Sequence, residues 1–283
     1  MINTIAITGA GGFIGNELVN YFLSKGKKVI AMNRSVVTNT HENFRYLPYD
    51  LVQKPDFSLL TDADCIIHCA FMVWDEAKAK DDFNSDYINA NATGLLAQFC
   101  EKNKKKFVFM SSFSAHEKAT SHYGKHKFEL EENLASTHMV IKPGLVLGKK
   151  GLFASINKIV SEKKIIPVIG NGQQPLQWIH VKELCMATEI GLEKDLVGAF
   201  PLASEKSITF LMLNELIAQK SNRSPIFIFI HPAIAKILLA IFGKKLPFTK
   251  ENLDGLLQLR EFETKDTLEL FGISIAPIEE FSL

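Results

Sequence analysis

Ser112, Tyr123 and Lys127 have the residue types and spacing for moving a proton at a carbon–oxygen bond. Tyr123 and Lys127 stand four residues apart in Tyr123-Gly124-Lys125-His126-Lys127, which makes them neighbours on one face of a helix. A free phenol has a pKa near about 10, too high for ready proton exchange at neutral pH. A neighbouring ammonium favours the phenolate, and a depression of about 3 units corresponds to roughly 4 kcal/mol of preferential stabilisation. Ser112, closing the apolar run Phe107-Val108-Phe109-Met110-Ser111, can hold a reacting oxygen beside the phenol. Such a set suits hydride exchange between a ketone and a secondary alcohol, where the oxygen gains or loses a proton as the C–H bond forms or breaks. Tyr-x-x-x-Lys recurs by chance, so the inference needs the order of the surrounding elements.

Hydride chemistry needs a carrier, and the start of the chain offers a place for one. The apolar run Ile5-Ala6-Ile7 enters Thr8-Gly9-Ala10-Gly11-Gly12-Phe13-Ile14-Gly15, a glycine turn from a buried strand into a helix. Gly9 permits the sharp turn, Gly12 removes a Cβ from the surface that phosphates would approach, and Gly15 allows close packing of the helix. From Phe13 and Ile14 onward the first helical N–H groups lack intrahelical acceptors and suit a pyrophosphate. Glycine turns also serve as plain connectors, and the spacing here is G-x-x-G-x-x-G.

The second strand ends Met32-Asn33-Arg34-Ser35 with no acid to bind ribose hydroxyls. Arg34 offers a planar cationic fork suited to a 2′-phosphate, which favours NADP over NAD; an ordinary surface arginine is the alternative. Asp50 and Leu51 follow the third strand and could flank an adenine, although an aspartate there also suits a turn. His68-Cys69-Ala70 closes the fourth strand with small residues, leaving room for a dinucleotide beside Ala70.

These residues require a parallel sheet with helices on both faces. Strands are expected at Thr4–Thr8, Lys28–Met32, Phe44–Tyr46, Cys65–Cys69, Lys106–Met110 and Met139–Ile141, and helices at Phe13–Lys25, Ser85–Lys102 and Tyr123–Ala135. The fold class is therefore α/β, a Rossmann doubly wound parallel sheet with a smaller C-terminal substrate-binding lobe. The nucleotide-binding domain is expected at 1–146 plus 176–203, and the lobe at 147–175 plus 204–283.

A chain of 283 residues with 47% hydrophobic and 22% charged residues can bury a large core. Its net charge of +1 gives no electrostatic case for nucleic acid or an acidic membrane. Cys65, Cys69, Cys100 and Cys185 lie in apolar segments without ligand spacing and read as core thiols of a reducing compartment. His116, His122 and His126 surround the tyrosine, but no carboxylate or cysteine completes a ligand set, so no metal is expected. A strand begins within a few residues of Met1, leaving no visible signal peptide, and a cytoplasmic protein is expected. The apolar stretch 225–242 is interrupted by His231, Pro232 and Lys236 and is too short to span a bilayer. A strand at Ile226–Ile230 and a helix at Ala233–Phe242 account for it, with peripheral membrane contact the lesser reading.

The chain resembles the extended short-chain dehydrogenases/reductases, the NAD(P)-dependent epimerase/dehydratase group. The resemblance rests on TGAGGFIG (Thr8–Gly15), DCIIHCA (Asp64–Ala70), NATG (Asn91–Gly94), FVFMSS (Phe107–Ser112), YGKHKFELE (Tyr123–Glu131), IKPGLVLG (Ile141–Gly148) and WIHVKEL (Trp178–Leu184). It implies Tyr123 as general acid/base, Lys127 as a ribose contact that tunes Tyr123, and Ser112 as the residue orienting the oxygen. It further implies Asn91 as a structural residue of the central helix, Asp50 as an adenine contact and Pro143 among the cofactor contacts. Relatives act at C4 of nucleotide-linked sugars, and family members often dimerise through helices near 85–102 and 123–135.

The expected activity is NADP-dependent reduction of a 4-keto nucleotide sugar by a homodimer. A 4-epimerase retaining NAD and a non-catalytic NAD(P)-binding protein are the alternatives. Lys142-Pro143-Gly144-Leu145 lacks the asparagine with which many sugar-nucleotide enzymes contact the diphosphate, and Gln174-Pro175-Leu176-Gln177 stands where arginines are usual. Arg260 is the remaining late cation, with a surface role as its alternative. A less charged substrate stays open.

Overall fold

The computed structural model describes residues 2–73, 84–242 and 250–281. In chain order the elements are β1 (Thr4–Thr8), α1 (Phe13–Ser24), β2 (Lys28–Asn33), β3 (Phe44–Pro48), β4 (Cys65–His68), α2 (Ser85–Lys102), β5 (Lys106–Met110), α3 (His122–Leu134) and β6 (Met139–Pro143). They continue as β7 (Leu145–Leu147), α4 (Gly151–Glu162), β8 (Ile165–Ile169), β9 (Pro175–Leu176), β10 (Trp178–His180), α5 (Val181–Glu193) and β11 (Gly198–Leu202). The chain ends with β12 (Ile208–Thr209), α6 (Phe210–Lys220), β13 (Ile226–Ile230), α7 (Pro232–Phe242), α8 (Lys250–Leu257) and α9 (Lys265–Phe271).

Two compact units divide these elements: residues up to Ser111 with His126–Lys142 and Val181–Phe200, and Ser112–Lys125 with Pro143–His180 and Pro201–Leu283. The first unit holds a seven-stranded sheet in the order β11-β6-β5-β4-β1-β2-β3. Pairing is parallel from β6 through to β3. The order reverses between β1 and β4, which makes the carboxyl ends of these two strands the switch point where doubly wound sheets bind ligands. Every residue of β1 and β4 is buried, as expected for strands covered on both faces. The core gathers Ala6, Ile30, Ile66, Leu96, Phe107, Phe109 and Val140 from the sheet and α2. On another side α1 packs against α5, where the Tyr21 hydroxyl donates to Glu189 at 2.6 Å.

The second unit is built on three two-stranded pairings, β10 with β7, β12 with β9 and β13 with β8, and on its own core of Leu147, Phe153, Trp178, Leu213 and Ile217. Ser112–Lys125, expected from the sequence with the nucleotide-binding part, groups here. Its bonds explain why: the Phe113 N–H donates to the Pro143 carbonyl at 3.0 Å, and the Phe113 ring lies 4.3 Å from that of Phe262. Gln177 is buried as a clamp. Its amide donates to the Ser204 and Phe262 carbonyls at 2.8 and 3.0 Å and accepts from the Phe262 N–H at 2.9 Å.

Candidate active site

The glycine turn is shaped by close backbone approaches. Gly9 has φ +66°, and a Cβ there would lie 2.8 Å from the Ala70 nitrogen. Gly15 faces the turn itself, since its Cβ would stand 2.8 Å from the Gly9 carbonyl carbon and closer still to its oxygen. Gly12 differs. A Cβ there meets only the Gly9 oxygen, at 3.1 Å, so space beside it is open. Gly12 is the N-cap of α1, no side chain caps the helix, and its first turn carries no acid. An uncapped helix start beside a bare glycine fits a dinucleotide pyrophosphate, and the N–H groups around Phe13 and Ile14 would hold it.

Behind the turn, His68 ties three elements together. Its Nδ1 lies 2.7 Å from the Thr8 hydroxyl and its Nε2 3.1 Å from that of Thr93 on α2. Thr8 Oγ1 also accepts the Ala70 N–H at 3.1 Å, which fixes the small-residue end of β4. Burial, with the nearby Lys127 charge, lowers the His68 pKa to about 3, so the ring is neutral. The loop after β4 is held by Asn89, whose amide accepts from the Met72 N–H at 2.8 Å and donates to its carbonyl at 2.9 Å. The structural role expected of Asn91 thus falls to Asn89: Asn91 is exposed, two residues round the helix from the buried face. Helical phase was the available signal, because Asn89, Thr93, Leu96 and Cys100 share that face.

Arg34, expected at the adenosine ribose, is exposed just after β2. Asp50 Oδ1 accepts the Val52 N–H at 3.3 Å, a turn contact, and Leu51 packs partly against the core. Pro143 ends β6 as a buried residue.

Lys127 is 3% exposed on α3, and its Nζ donates to the Met110 carbonyl at 2.5 Å. The ammonium also lies over the rings of Phe71 and Phe109, at 4.5 and 4.6 Å from their centroids. Burial lowers its pKa to about 7, against the opposing pull of Cys69 and Glu131. One turn along, the buried Glu131 accepts from Lys142 Nζ at 2.5 Å and from Ser111 Oγ at 3.0 Å. This network fixes α3 to the ends of β5 and β6 and was not visible in the sequence, since its members are far apart in the chain.

Within the second unit, the side chains of Ser112 and Tyr123 are hydrogen-bonded to each other. Ser112 Oγ also accepts the Ser114 N–H at 3.1 Å, and Ser121 Oγ accepts the Gly124 N–H at 3.1 Å at the start of α3. Gly124 lets this start lie on the loop, for its Cβ would collide with the Ser114 carbonyl oxygen. Burial pushes the Tyr123 phenol up to about 12, and the Ser112 bond only moderates this. The direction is opposite to the depression expected from the lysine alone, because that expectation omitted desolvation.

His126 is buried 3.6 Å from Glu129 and 3.9 Å from Asp86, and among the described residues no group of histidines, cysteines and carboxylates is arranged to hold a metal. Cys65, Cys100 and Cys185 are buried thiols, Cys69 is half-buried, and all four are free.

A doubly wound sheet with an uncapped glycine turn, a strand-end serine and a helical Tyr-x-x-x-Lys defines an extended short-chain dehydrogenase/reductase, an NAD(P)-dependent enzyme. The chain belongs to the NAD dependent epimerase/dehydratase family, whose model matches residues 5–199. It is 24% identical over 243 residues to the sterol-4-alpha-carboxylate 3-dehydrogenase, decarboxylating, of Dictyostelium discoideum, with 74% of each chain covered. In fold it is similar to a UDP-N-acetylglucosamine 4-epimerase from Methanobrevibacter ruminantium M1, solved with UDP-N-acetylmuramic acid, at a TM-score of 0.69 and 22% identity over 82% of this chain and 86% of that one. It is also similar to MoeE5, solved with UDP-glucuronic acid and NAD, at a TM-score of 0.74 and 15% identity over 97% and 94%.

Proposed function

We propose that this enzyme is an NADP-dependent reductase of a ketone, with 4-keto nucleotide sugars as the substrate class. The Ser112–Tyr123 hydrogen bond is the observation that carries the reading. That bond sets the phenol and the serine hydroxyl side by side, where both can meet one substrate oxygen and the phenol can give it a proton, the role that reduction requires. The bound nicotinamide supplies the hydride. Ser112 and Tyr123 both hydrogen-bond the substrate oxygen, and Tyr123 delivers its proton to that oxygen as the C–O double bond becomes a single bond. Lys127, held by Met110, binds the ribose hydroxyls and offers positive charge to the phenolate that remains. Arg34 binds the 2′-phosphate, with Asp50 and Leu51 at the adenine and Ala70 and Pro143 along the rest of the dinucleotide. The protein assembles as a homodimer through α2 and α3 and works in the cytoplasm.

A second reading, a less charged carbinol or ketone, is favoured by two observations. Gln177 is occupied by its clamp, and Arg260 lies 3.9 Å from Glu117 with its guanidinium 5.5 Å from the Phe262 ring. The second unit therefore holds neither of the two expected late positions as a dedicated diphosphate cation. The sterol-directed relative acts on a substrate of that less charged kind.

The test follows NADPH consumption with a 4-keto sugar nucleotide and, separately, with a 3-keto sterol. Tyr123→Phe deletes one hydroxyl and should lower turnover by about 10²–10⁴-fold while leaving NADPH affinity intact. Lys127→Met should damage both. A Tyr123→Phe enzyme with near-normal turnover rules the mechanism out, and tightly retained NAD in place of exchangeable NADP would move the assignment to an epimerase.

A further inference from the structure

The second unit exposes an apolar surface that the proposed chemistry does not use. β13 pairs only with β8 among the described residues, and its register sets Ile226 beside Ile165 and Ile228 beside Pro167 on one face of the ribbon. At the far end of that face Ile169 and Ile230 are covered by Ala235 of α7 and Leu253 of α8. Toward the near end the cover stops: Ile165, Ile226 and Ile228 are 54%, 65% and 46% exposed. The outward side of α7 continues the pattern, with Ile234 and Ile237, one turn apart, more than half exposed. An edge strand of this composition, without a charge or proline inside it, is a surface that proteins ordinarily cover.

Charge decides what covers it. The described residues 216–242 contain three cations, Lys220, Arg223 and Lys236, and no carboxylate, although the whole chain carries only +1. Lys163 and Lys164 lead directly into Ile165, Arg223 precedes β13, and Lys236 sits between Ile234 and Ile237; all four are exposed. Glu162, at the end of α4, is the one exposed acid adjoining this group in sequence. A second copy docked symmetrically on this face would set the same cations against one another. An anionic lipid surface neutralises them and takes up the isoleucines.

We propose that the β13–α7 face is a peripheral docking site for anionic membranes, with the isoleucines entering the headgroup boundary and the lysines meeting lipid phosphates. No described helix is long and apolar enough to cross a membrane. The surface would therefore hold the enzyme on the bilayer without spanning it. This inference is independent of which ketone the active site takes.

Co-sedimentation of the protein with vesicles of phosphatidylcholine, alone or with about one part in three of phosphatidylglycerol, provides the test. Binding should appear only with phosphatidylglycerol and weaken as salt rises. Neutralising Lys163, Lys164 and Lys236 to Gln should weaken it by about a hundredfold, at about fivefold for each charge near the surface. Ile234→Ser with Ile237→Ser, at exposed positions where thermal unfolding should stay unchanged, should abolish it. Absence of binding to phosphatidylglycerol vesicles by the folded protein overturns the proposal. So does a dimer in sedimentation velocity that the isoleucine variants dissociate, which would make the face a contact between copies.

Discussion

Gly12 and Gly15 lie three residues apart in one turn, and their different surroundings predict different effects for a pair of substitutions. At Gly12 the backbone is extended, with φ −75° and ψ 174°, a conformation open to any residue. A Cβ there meets one atom at 3.1 Å, so Gly12→Val should cost no more than about 1 kcal/mol of folding stability. Its side chain would nevertheless stand before the uncapped start of α1. Losing two charge-assisted hydrogen bonds to a pyrophosphate, at about 1.5–3 kcal/mol each, predicts a fall of roughly 10²–10⁴-fold in dinucleotide affinity. At Gly15 the added methyl would press into backbone, with the Gly9 carbonyl carbon at 2.8 Å and the Ala10 Cα at 3.1 Å, neither of which can swing aside. Overpacking of that kind costs about 1–3 kcal/mol, so Gly15→Ala should lower Tm by several degrees. Calorimetric unfolding and NADPH titration of both variants give four numbers. A folded Gly12→Val protein with normal NADPH affinity would refute the cradle, and a Gly15→Ala protein with unchanged Tm would refute the packing argument.

Two further outcomes follow from single side chains. If Arg34 meets a 2′-phosphate, NADPH should bind more tightly than NADH by about 1–3 kcal/mol, and Arg34→Ala should erase most of the difference; equal affinities in the unmodified protein remove the claim. His68 has a folded pKa of about 3 against an ordinary value of 6.5, so only the unfolded state takes up its proton between these limits. Its contribution to stability is complete above pH 6.5 and is lost as pH falls toward 3, reaching about 2 kcal/mol by pH 5. Urea unfolding from pH 7.5 to 5 should show this slope reduced in His68→Gln, and an identical slope in the variant would place the titration elsewhere.

The parts of the fold legible in the sequence are those whose cause is local. β1 and β4 are buried along their whole length, so their apolar centres Ile5-Ala6-Ile7 and Cys65-Ile66-Ile67 stand out, and the glycine turn is legible because each close approach demands a missing side chain. Tyr123 and Lys127 were readable for the same reason, since helical spacing alone puts them on one face. What escaped depends on partners distant in the chain. Asn91 and Asn89 are the same residue type two positions apart, and only the place of Met72 makes Asn89 the one that holds the loop. The buried Lys142–Glu131–Ser111 network joins residues 11 and 20 positions apart. The protonation of the site belongs with these. A lysine one turn away argues for an easily ionised tyrosine, yet burial acts on both groups in the opposite sense, taking Lys127 down to about 7 and Tyr123 up to about 12. Spacing reports which charges are near, whereas burial is a property of the assembled fold, and here desolvation is the larger influence. Burial therefore keeps the Tyr123 phenol protonated, a property of the assembled fold that its four-residue spacing from Lys127 does not carry.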